Sequence, residues 1–484
     1  MNKRKIFCLV LLISVLATIF SGCFNFDMDN EYSEHNSSEQ SSVSKTESET
    51  DVSSEYDENF DYLTLINDYD YENKKFTIIT PQTQIYTADS ESGTLNKAIY
   101  ERNERVENKL HVKVKTQYAT TETIKAKVTE AALSGIPYGN VISAPAYVVS
   151  EMANKGELLN IYSLPGIDND AVYIKDALTM SGVINNTLYM MINEVSISSK
   201  DGWAVFYNPK LADTNELKTY ISSGEWTWDK MLEVSKIIAK DTLNKRSPDR
   251  SRDVFGYTTL VEEKELVNAI WCTSGVKYFG DTVGKMLELP TDTATGKAVA
   301  KTAKSITESK IFLDGGGEAC EKAFLDGRIG FFIYRIEYIA VLEEKGIDYG
   351  VLPLPKLNKE TENYYSVIDN ATLAIAVPKI QEDSMFTGVV LNALCAASYG
   401  KLNTALNMSY LYHYIDDNED AVKIKNILGN ACFDNAVMYS VGMPDIAAVT
   451  IDSITNAIEG NSAVFTYLES TKNTFAAFSK KTFK

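Results

Sequence analysis

The chain has 484 residues, 44% of them hydrophobic and 23% charged, which is enough to form two or three folded units. Its 66 acidic and 47 basic residues give a formal net charge of −19, so it lacks the excess of positive charge expected of a nucleic-acid-binding protein. Three histidines leave few ligands for a metal centre, and the absence of any CxxC pair argues against zinc ribbons and thioredoxin-type redox centres.

The N-terminus has the pattern of an export signal. Basic residues 3–5 precede an uncharged, largely apolar run over residues 6–20, which is shorter than the about 20 residues of a bilayer-spanning helix. The run ends in Ser21-Gly22-Cys23, which resembles a bacterial lipobox. We therefore expect residues 1–22 to be a signal peptide and Cys23 to carry lipid. Such a lipid anchors the protein on the extracellular face of the cell membrane, as in Gram-positive-type surface lipoproteins.

The stretch after the lipobox is acidic and rich in serine. Residues 24–60 contain eleven acidic residues and one basic residue, Lys45, and too few apolar residues to bury. Such a composition favours a disordered chain. We therefore predict a tether over residues 23–72 that links the lipid anchor to the folded part.

The folded part begins with a β-α-β-α-β pattern. Strands are predicted over residues 75–80, 111–115 and 141–144, and helices over residues 95–110 and 121–133. This order predicts a parallel, doubly wound α/β sheet. Further strands and helices are predicted over residues 203–207, 229–239, 328–334, 335–345, 349–352 and 372–377, followed by a mostly helical end over residues 384–478.

Signatures of catalysis and cofactor binding are missing from the sequence. The chain has no GxGxxG, GxxxxGK[ST], GxSxG or HExxH pattern, so we predict no cofactor, no metal and no enzymatic activity. A carboxylate pair of the kind that hydrolyses glycosides remains open, because 66 acidic residues always allow some pair. Disulfides and buried thiols are equally open for the four later cysteines, which are Cys272, Cys320, Cys395 and Cys432.

Five short segments resemble, in order, the bacterial extracellular solute-binding proteins of the sugar-binding, maltose-binding-like group. They are VFYNPKL at 205–211, GEWTWDKM at 224–231, AFLDGRIGF at 323–331, DYGVLPLPK at 348–356 and AIAVP at 374–378. Each segment alone is weak, but all five follow one another behind a lipobox and a tether. The resemblance covers residues 73–484.

The resemblance implies two α/β lobes of the periplasmic-binding-protein-like, class II kind. Each lobe is a doubly wound sheet flanked by helices, and hinge strands join the two. We place one lobe at residues 73–203 plus 354–398 and the other at residues 204–353 plus 399–484. Members of the family close on a small polar solute, here an oligosaccharide, and deliver it to the permease of an ABC transporter. We expect a monomer. The alternatives are a surface glycan-binding lipoprotein without a transport role and a surface glycan hydrolase.

Ligand contacts are expected from loops after the strands, where clefts of α/β sheets form. Aromatic faces cover the C–H surfaces of sugars, while Asp, Asn, Gln and Arg form hydrogen bonds with hydroxyls. Trp203 and Trp271 are predicted to reach the ligand from opposite lobes. The full set of predicted ligand-binding residues is Gln82, Gln84, Tyr147, Asp201, Trp203, Trp271, Tyr334, Arg335, Glu337, Tyr338, Asp369 and Asn370.

Overall fold

The computed structural model describes residues 60–90, 93–280, 285, 287–414, 431–432 and 434–482. The predicted signal peptide, Cys23 and the tether up to residue 59 lie outside these residues. Strands within them are β1 (Lys74–Thr80), β2 (Val112–Tyr118), β3 (Val141–Pro145), β4 (Trp203–Tyr207), β5 (Phe255–Thr259), β6 (Phe312–Leu313), β7 (Ile329–Arg335), β8 (Gly350–Leu352), β9 (Ser366–Val367), β10 (Leu373–Ala376) and β11 (Ala431–Cys432).

Helices surround these strands along most of the chain. Those within the described residues are α1 (Thr94–Leu110), α2 (Thr121–Ser134), α3 (Ala146–Asn154), α4 (Ala177–Ser181), α5 (Thr214–Ser222), α6 (Trp228–Ile238), α7 (Lys240–Asn244), α8 (Glu263–Cys272), α9 (Thr293–Thr307), α10 (Gly317–Leu325), α11 (Ile339–Glu344), α12 (Ser384–Ser398), α13 (Lys401–Tyr414), α14 (Asn435–Ser440), α15 (Pro444–Val449), α16 (Ile451–Ile458) and α17 (Val464–Thr482). None of them is long and apolar enough to cross a membrane.

The first sheet has the strand order β10-β3-β1-β2. Strands β1, β2 and β3 run parallel, with α1 and α2 as the connecting helices, and β10 joins β3 antiparallel. Helix α1 buries Ile99, Val106 and Leu110, whose spacing places them on one face. It ends at His111, whose positive φ turns the chain directly into β2. The predicted β-α-β-α-β order is therefore confirmed, with an antiparallel edge strand added.

The second sheet has the strand order β6-β5-β7-β4-β8. Strand β5 pairs in parallel with β6 and β7, while β4 runs antiparallel between β7 and β8. All five residues of β4 are buried, as expected for a central strand covered on both faces. The α/β fold class predicted from the sequence is confirmed, and the structure adds β5, β6, β9 and β11 to the predicted strands.

The chain passes between the two sheets more than once. It leaves the first sheet through residues 193–202, and it returns after β8 through a segment that carries β9 and leads into β10. Gly202 and Ile368 of these two crossings form an antiparallel bridge. Helix α13 packs against α1 beside the first sheet and also contacts α11, which follows β7. The lobe boundaries drawn from the sequence stay a prediction.

The structure differs from the prediction over residues 60–72, which we had assigned to the tether. A short 3-10 turn at Tyr62–Leu65 buries Tyr62 and Leu63, and Ile66 is buried beside it. Tyr62 also packs edge-to-face against Tyr399, with ring centroids 5.4 Å apart. These apolar side chains pack on the first lobe, so the folded part includes residues that the sequence assigned to the tether.

Candidate functional site

Strand ends from both sheets meet at one junction. Arg335 ends β7 and pairs in register with Trp203, the first residue of β4. Asp369 lies between β9 and β10, at the edge where β3 ends. Because β10 is antiparallel to β3, its entry point lies beside the carboxyl end of the parallel strands. The chain segments that carry Trp203, Arg335 and Asp369 therefore meet between the sheets.

A buried ion pair joins the two sheets at this junction. Nε of Arg335 donates to Oδ2 of Asp369 at 2.8 Å, and Nη2 donates to Oδ1 at 2.5 Å. The indole N–H of Trp203 donates to the same carboxylate at 3.0 Å. Burial by itself raises the pKa of Asp369, but the charge and hydrogen bonds of Arg335 outweigh it and lower the pKa. The carboxyl is therefore ionised at neutral pH.

A second set of charges surrounds this pair. Lys200 forms ion pairs with Asp201 and, at 3.3 Å, with Glu337. Nη1 of Arg335 lies 3.8 Å from Asp201 and 3.7 Å from Glu337. Thr372, the residue before β10, donates its hydroxyl to Asp201 at 2.5 Å. We call Lys200, Asp201, Arg335, Glu337 and Asp369 the junction cluster; four of its five members were predicted from the sequence.

Tyrosines flank the junction cluster on the side of the second sheet. Tyr334 and Tyr338 pack edge-to-face with ring centroids 5.7 Å apart. Tyr338 is buried, and its hydroxyl donates to Glu321 at 2.8 Å. Tyr334 is half-buried, and burial raises the pKa of its hydroxyl to about 12. Of the two, Tyr334 is the one with surface left for a ligand.

Four more predicted residues lie along the carboxyl edge of the first sheet. The backbone N–H of Tyr147 donates to the carbonyl of Asn370 at 3.0 Å, so these two half-buried residues are adjacent. Gln82 precedes a 3-10 turn after β1, and Gln84 within that turn is exposed. These residues extend the polar edge away from the junction cluster.

Trp203 and Trp271 are fully buried, which differs from the open cleft position that we expected. Trp203 lies in the core between the sheets, and Trp271 stacks on Tyr278 with ring centroids 3.8 Å apart. Neither ring offers a free face in this arrangement. Contact of either ring with a ligand would therefore require the side chains packed against it to move.

Two residues at the same edges were missed by sequence reasoning. Tyr118 ends β2 opposite Thr80, and its side chain is 66% exposed. It lies three strands from β10, roughly 14 Å at the usual strand spacing. Its place at the end of an alternating strand was a signal that could have identified it. Glu265 lies in the first turn of α8, where acidic residues usually only stabilise the helix, so no signal marked it.

Burial raises the pKa of Glu265, and the negative charge of Asp369 raises it further, although Arg335 partly offsets both. Glu265 also accepts the backbone N–H of Glu262, the residue that precedes α8, which lowers its pKa and caps the start of the helix. Among the described residues, no group of three or more His, Cys, Asp or Glu side chains is arranged to hold a metal ion. Cys320 and Cys395 are buried, unbridged thiols.

Comparison with known proteins identifies a family and a fold. A family model described as bacterial extracellular solute-binding protein matches residues 100–385, more than half of the chain. No curated protein sequence matches. Two similar structures are each 13% identical to this chain, with matches that cover 84% of it and 99% of the other chain. One is the GacH receptor of Streptomyces glaucescens, solved unliganded and with acarbose, at a TM-score of 0.50. The other is the cyclic alpha-maltosyl-1,6-maltose binding protein of Arthrobacter globiformis, at 0.55.

Proposed function

This chain belongs to the family of bacterial extracellular solute-binding proteins, and from that premise we propose that it captures an oligosaccharide between its two lobes. The junction cluster is the observation that carries this proposal. It brings charged and polar side chains from both sheets to the carboxyl edges of their strands, where hydroxyl groups of a sugar can be hydrogen-bonded. Arg335 and Glu337 keep part of their side chains accessible for that purpose.

The extent of the polar edge favours an oligosaccharide over a single sugar. Tyr118 and the junction cluster lie at opposite sides of the first sheet, a distance that more than one sugar ring is needed to span. The GacH receptor binds acarbose and the Arthrobacter protein is named for a cyclic maltosyl-maltose, so oligosaccharides are bound on this fold. We infer the same class of ligand here.

We further propose that the protein is lipid-anchored at Cys23 on the outer face of the cell membrane and delivers its ligand to the permease of an ABC transporter. The signal-like N-terminus, the lipobox-like Ser21-Gly22-Cys23 and the acidic stretch behind it support the anchoring. A tether of this composition leaves the two lobes free to meet a membrane partner.

A thermal-shift screen over neutral oligosaccharides tests the proposed ligand class. A bound ligand raises the melting temperature because it stabilises only the folded state. Acarbose, cyclic maltosyl-maltose and linear malto-oligosaccharides are suitable probes. We expect at least one oligosaccharide to raise the melting temperature in a concentration-dependent manner. If no member of a broad panel does so, the proposed function is contradicted.

Tyr118→Ala is expected to weaken binding of the best oligosaccharide by about tenfold and to leave the melting temperature of the free protein unchanged. The ring is exposed in the free protein, so its loss removes ligand contact without creating a cavity. Calorimetric titration gives the affinity. Tyr100→Ala, which removes another exposed tyrosine from α1, is the matched control and should bind like the wild type. Equal affinity of both variants would remove Tyr118 from the site.

Cys23→Ser tests the anchor. Without the thiol, the N-terminus cannot be acylated, so the protein should appear in the medium or keep its signal. Fractionation of cells and mass spectrometry of the N-terminus provide the measurement. Cys320→Ser, which changes a buried cysteine of the folded part, serves as the control for a general effect of the substitution. A processed Cys23→Ser protein that stays in the membrane fraction would contradict the lipid anchor.

A further inference from the structure

Helices α6 and α7, beside the second sheet, share an exposed side that combines apolar with basic side chains. The two helices are nearly continuous, because the backbone N–H of Leu243 donates to the carbonyl of Ala239 at 2.8 Å across their boundary. Ile237 is 67% exposed and Leu243 is 40% exposed. Lys236 and Lys240 are exposed beside them, since side chains three and four residues apart lie on the same side of a helix. This side therefore offers two aliphatic side chains flanked by two ammonium groups.

The loop between α7 and β5 extends the positive charge. Residues 236–252 contain six basic and two acidic residues, in a chain whose formal net charge is −19. The hydroxyl of Thr242 in α7 donates to the carbonyl of Val254 at 2.5 Å, so the loop folds back against the helix that precedes it. Arg246 and Arg252 are exposed in this loop. We call the exposed side chains of residues 236–252 the basic face.

Four cations of the basic face form no ion pair within the described part of the chain. Lys245 is paired with Asp253 and Arg250 with Asp314, which leaves the others unpaired. Exposed charges of one sign repel each other, and an approaching anionic surface relieves that repulsion. The basic face is therefore suited to a partner that is negatively charged and partly apolar. The four unpaired residues are Lys236, Lys240, Arg246 and Arg252.

We propose that the basic face rests on the anionic headgroups of a lipid bilayer. Its cations would meet the lipid phosphates, while Ile237 and Leu243 enter the boundary between headgroups and acyl chains. A combination of exposed aliphatic side chains with Lys and Arg is typical of protein surfaces that lie on membranes. A soluble polyanion would pair with the same cations but would leave the two aliphatic side chains in water.

This inference goes beyond ligand capture, because it concerns how the protein lies at the membrane. The proposed tether enters the first lobe, where Asp61 pairs with Arg105 of α1, whereas the basic face lies beside the second sheet. A flexible tether by itself leaves the lobes free to turn. Contact of the basic face with lipid would fix which side of the second lobe faces the bilayer.

Vesicle sedimentation tests the proposal on the mature chain, residues 23–484, with Cys23→Ser so that no acyl chain contributes. Vesicles of phosphatidylcholine alone are compared with vesicles of phosphatidylcholine and phosphatidylglycerol in equal parts. We expect roughly tenfold stronger binding to the anionic vesicles, because each basic residue near such a surface strengthens binding by about fivefold. The chain as a whole is acidic, so this attraction has to come from a local basic surface. Concentrated salt should abolish the preference.

Replacing the four unpaired basic residues of the basic face by Gln should remove the preference without lowering the melting temperature, because all four side chains are exposed. Ile237→Ser combined with Leu243→Ser should weaken binding but keep its salt dependence. The matched control makes the same change of net charge in the first lobe and should keep the preference. It replaces by Gln the exposed lysines Lys75, Lys97, Lys115 and Lys155.

Equal sedimentation with both kinds of vesicle, sedimentation with neither, or a preference that survives the fourfold Gln variant would overturn the inference. Binding that appears only after residues 24–59 are deleted would assign the basic face to the acidic stretch of this chain, and it would overturn the inference as well. All of these results leave the proposed oligosaccharide binding intact, because the assay contains no sugar.

Discussion

Replacing Trp203 by Ala should lower the free energy of unfolding by about 3–5 kcal/mol, because the indole is fully buried and its removal leaves a cavity. The loss has a polar part as well. The indole N–H donates to Asp369, and the Ser366 hydroxyl donates to the Trp203 carbonyl at 2.8 Å, so the residue ties β4 to the crossing that carries Asp369. Denaturant unfolding provides the measurement.

Phe465→Ala is the control for Trp203→Ala. The Phe465 side chain is 57% exposed, so truncating it should change the free energy of unfolding by less than about 1 kcal/mol. A Trp203→Ala protein that unfolds like the wild type but loses affinity would show that the indole serves the ligand. It would restore the cleft role that the sequence first indicated.

Arg335→Met is expected to cost about 3–5 kcal/mol of stability at neutral pH, because it leaves the buried Asp369 carboxylate without its cation. The cost should depend on pH. Arg335 keeps the pKa of Asp369 low, so the pair contributes stability at neutral pH and loses it as pH falls through that lowered value. In the variant, burial raises the pKa of Asp369, and protonation removes the unpaired charge at a higher pH.

The stability deficit of Arg335→Met should therefore shrink as the solution is made acidic. Arg250→Met is the matched control, since Arg250 pairs with Asp314 on the surface, where an ion pair contributes about 0–1 kcal/mol. Arg335→Lys keeps the charge but not the two-pronged geometry, so its cost should be intermediate. A deficit that is equal at all pH values would indicate lost packing in place of an uncompensated carboxylate.

These two variants address how the junction is held together. Arg335 belongs to the second sheet, whereas Asp369 and Thr372 lead into β10 of the first. Their bonds fix the two crossings of the chain relative to each other, so the polar groups of the proposed binding site would be held in place before a ligand arrives. Such preorganisation reduces the entropy that binding has to overcome.

Much of the fold could be predicted from local patterns. Alternation and apolar spacing located β1, α1, β2, α2 and β3 to within a few residues, because these elements bury a face whose period is visible in the chain. Short motifs such as YNPKL and DYGVLPLP indicated the family. The strand β5, by contrast, was missed because FGYTT contains no clear alternation, and all five of its residues are buried.

The site could be predicted only by residue type and approximate place. The rule that ligand contacts come from loops after strands selected Asp201, Arg335, Glu337 and Asp369, because a parallel sheet presents these loops at one edge. The same rule chose Trp203 and Trp271, and the structure buries both. A strand end is visible in sequence, but whether a side chain there meets solvent depends on the elements that pack over it.

By itself, the sequence determined the α/β class, the order of the early elements and the family resemblance, because each depends on residues close together in the chain. Only the tertiary structure decided the pairing of Arg335 with Asp369 and the burial of the two tryptophans. Each of these depends on distances between segments that are far apart in sequence. Such distances are set by how two sheets and their crossings pack, for which no local pattern exists.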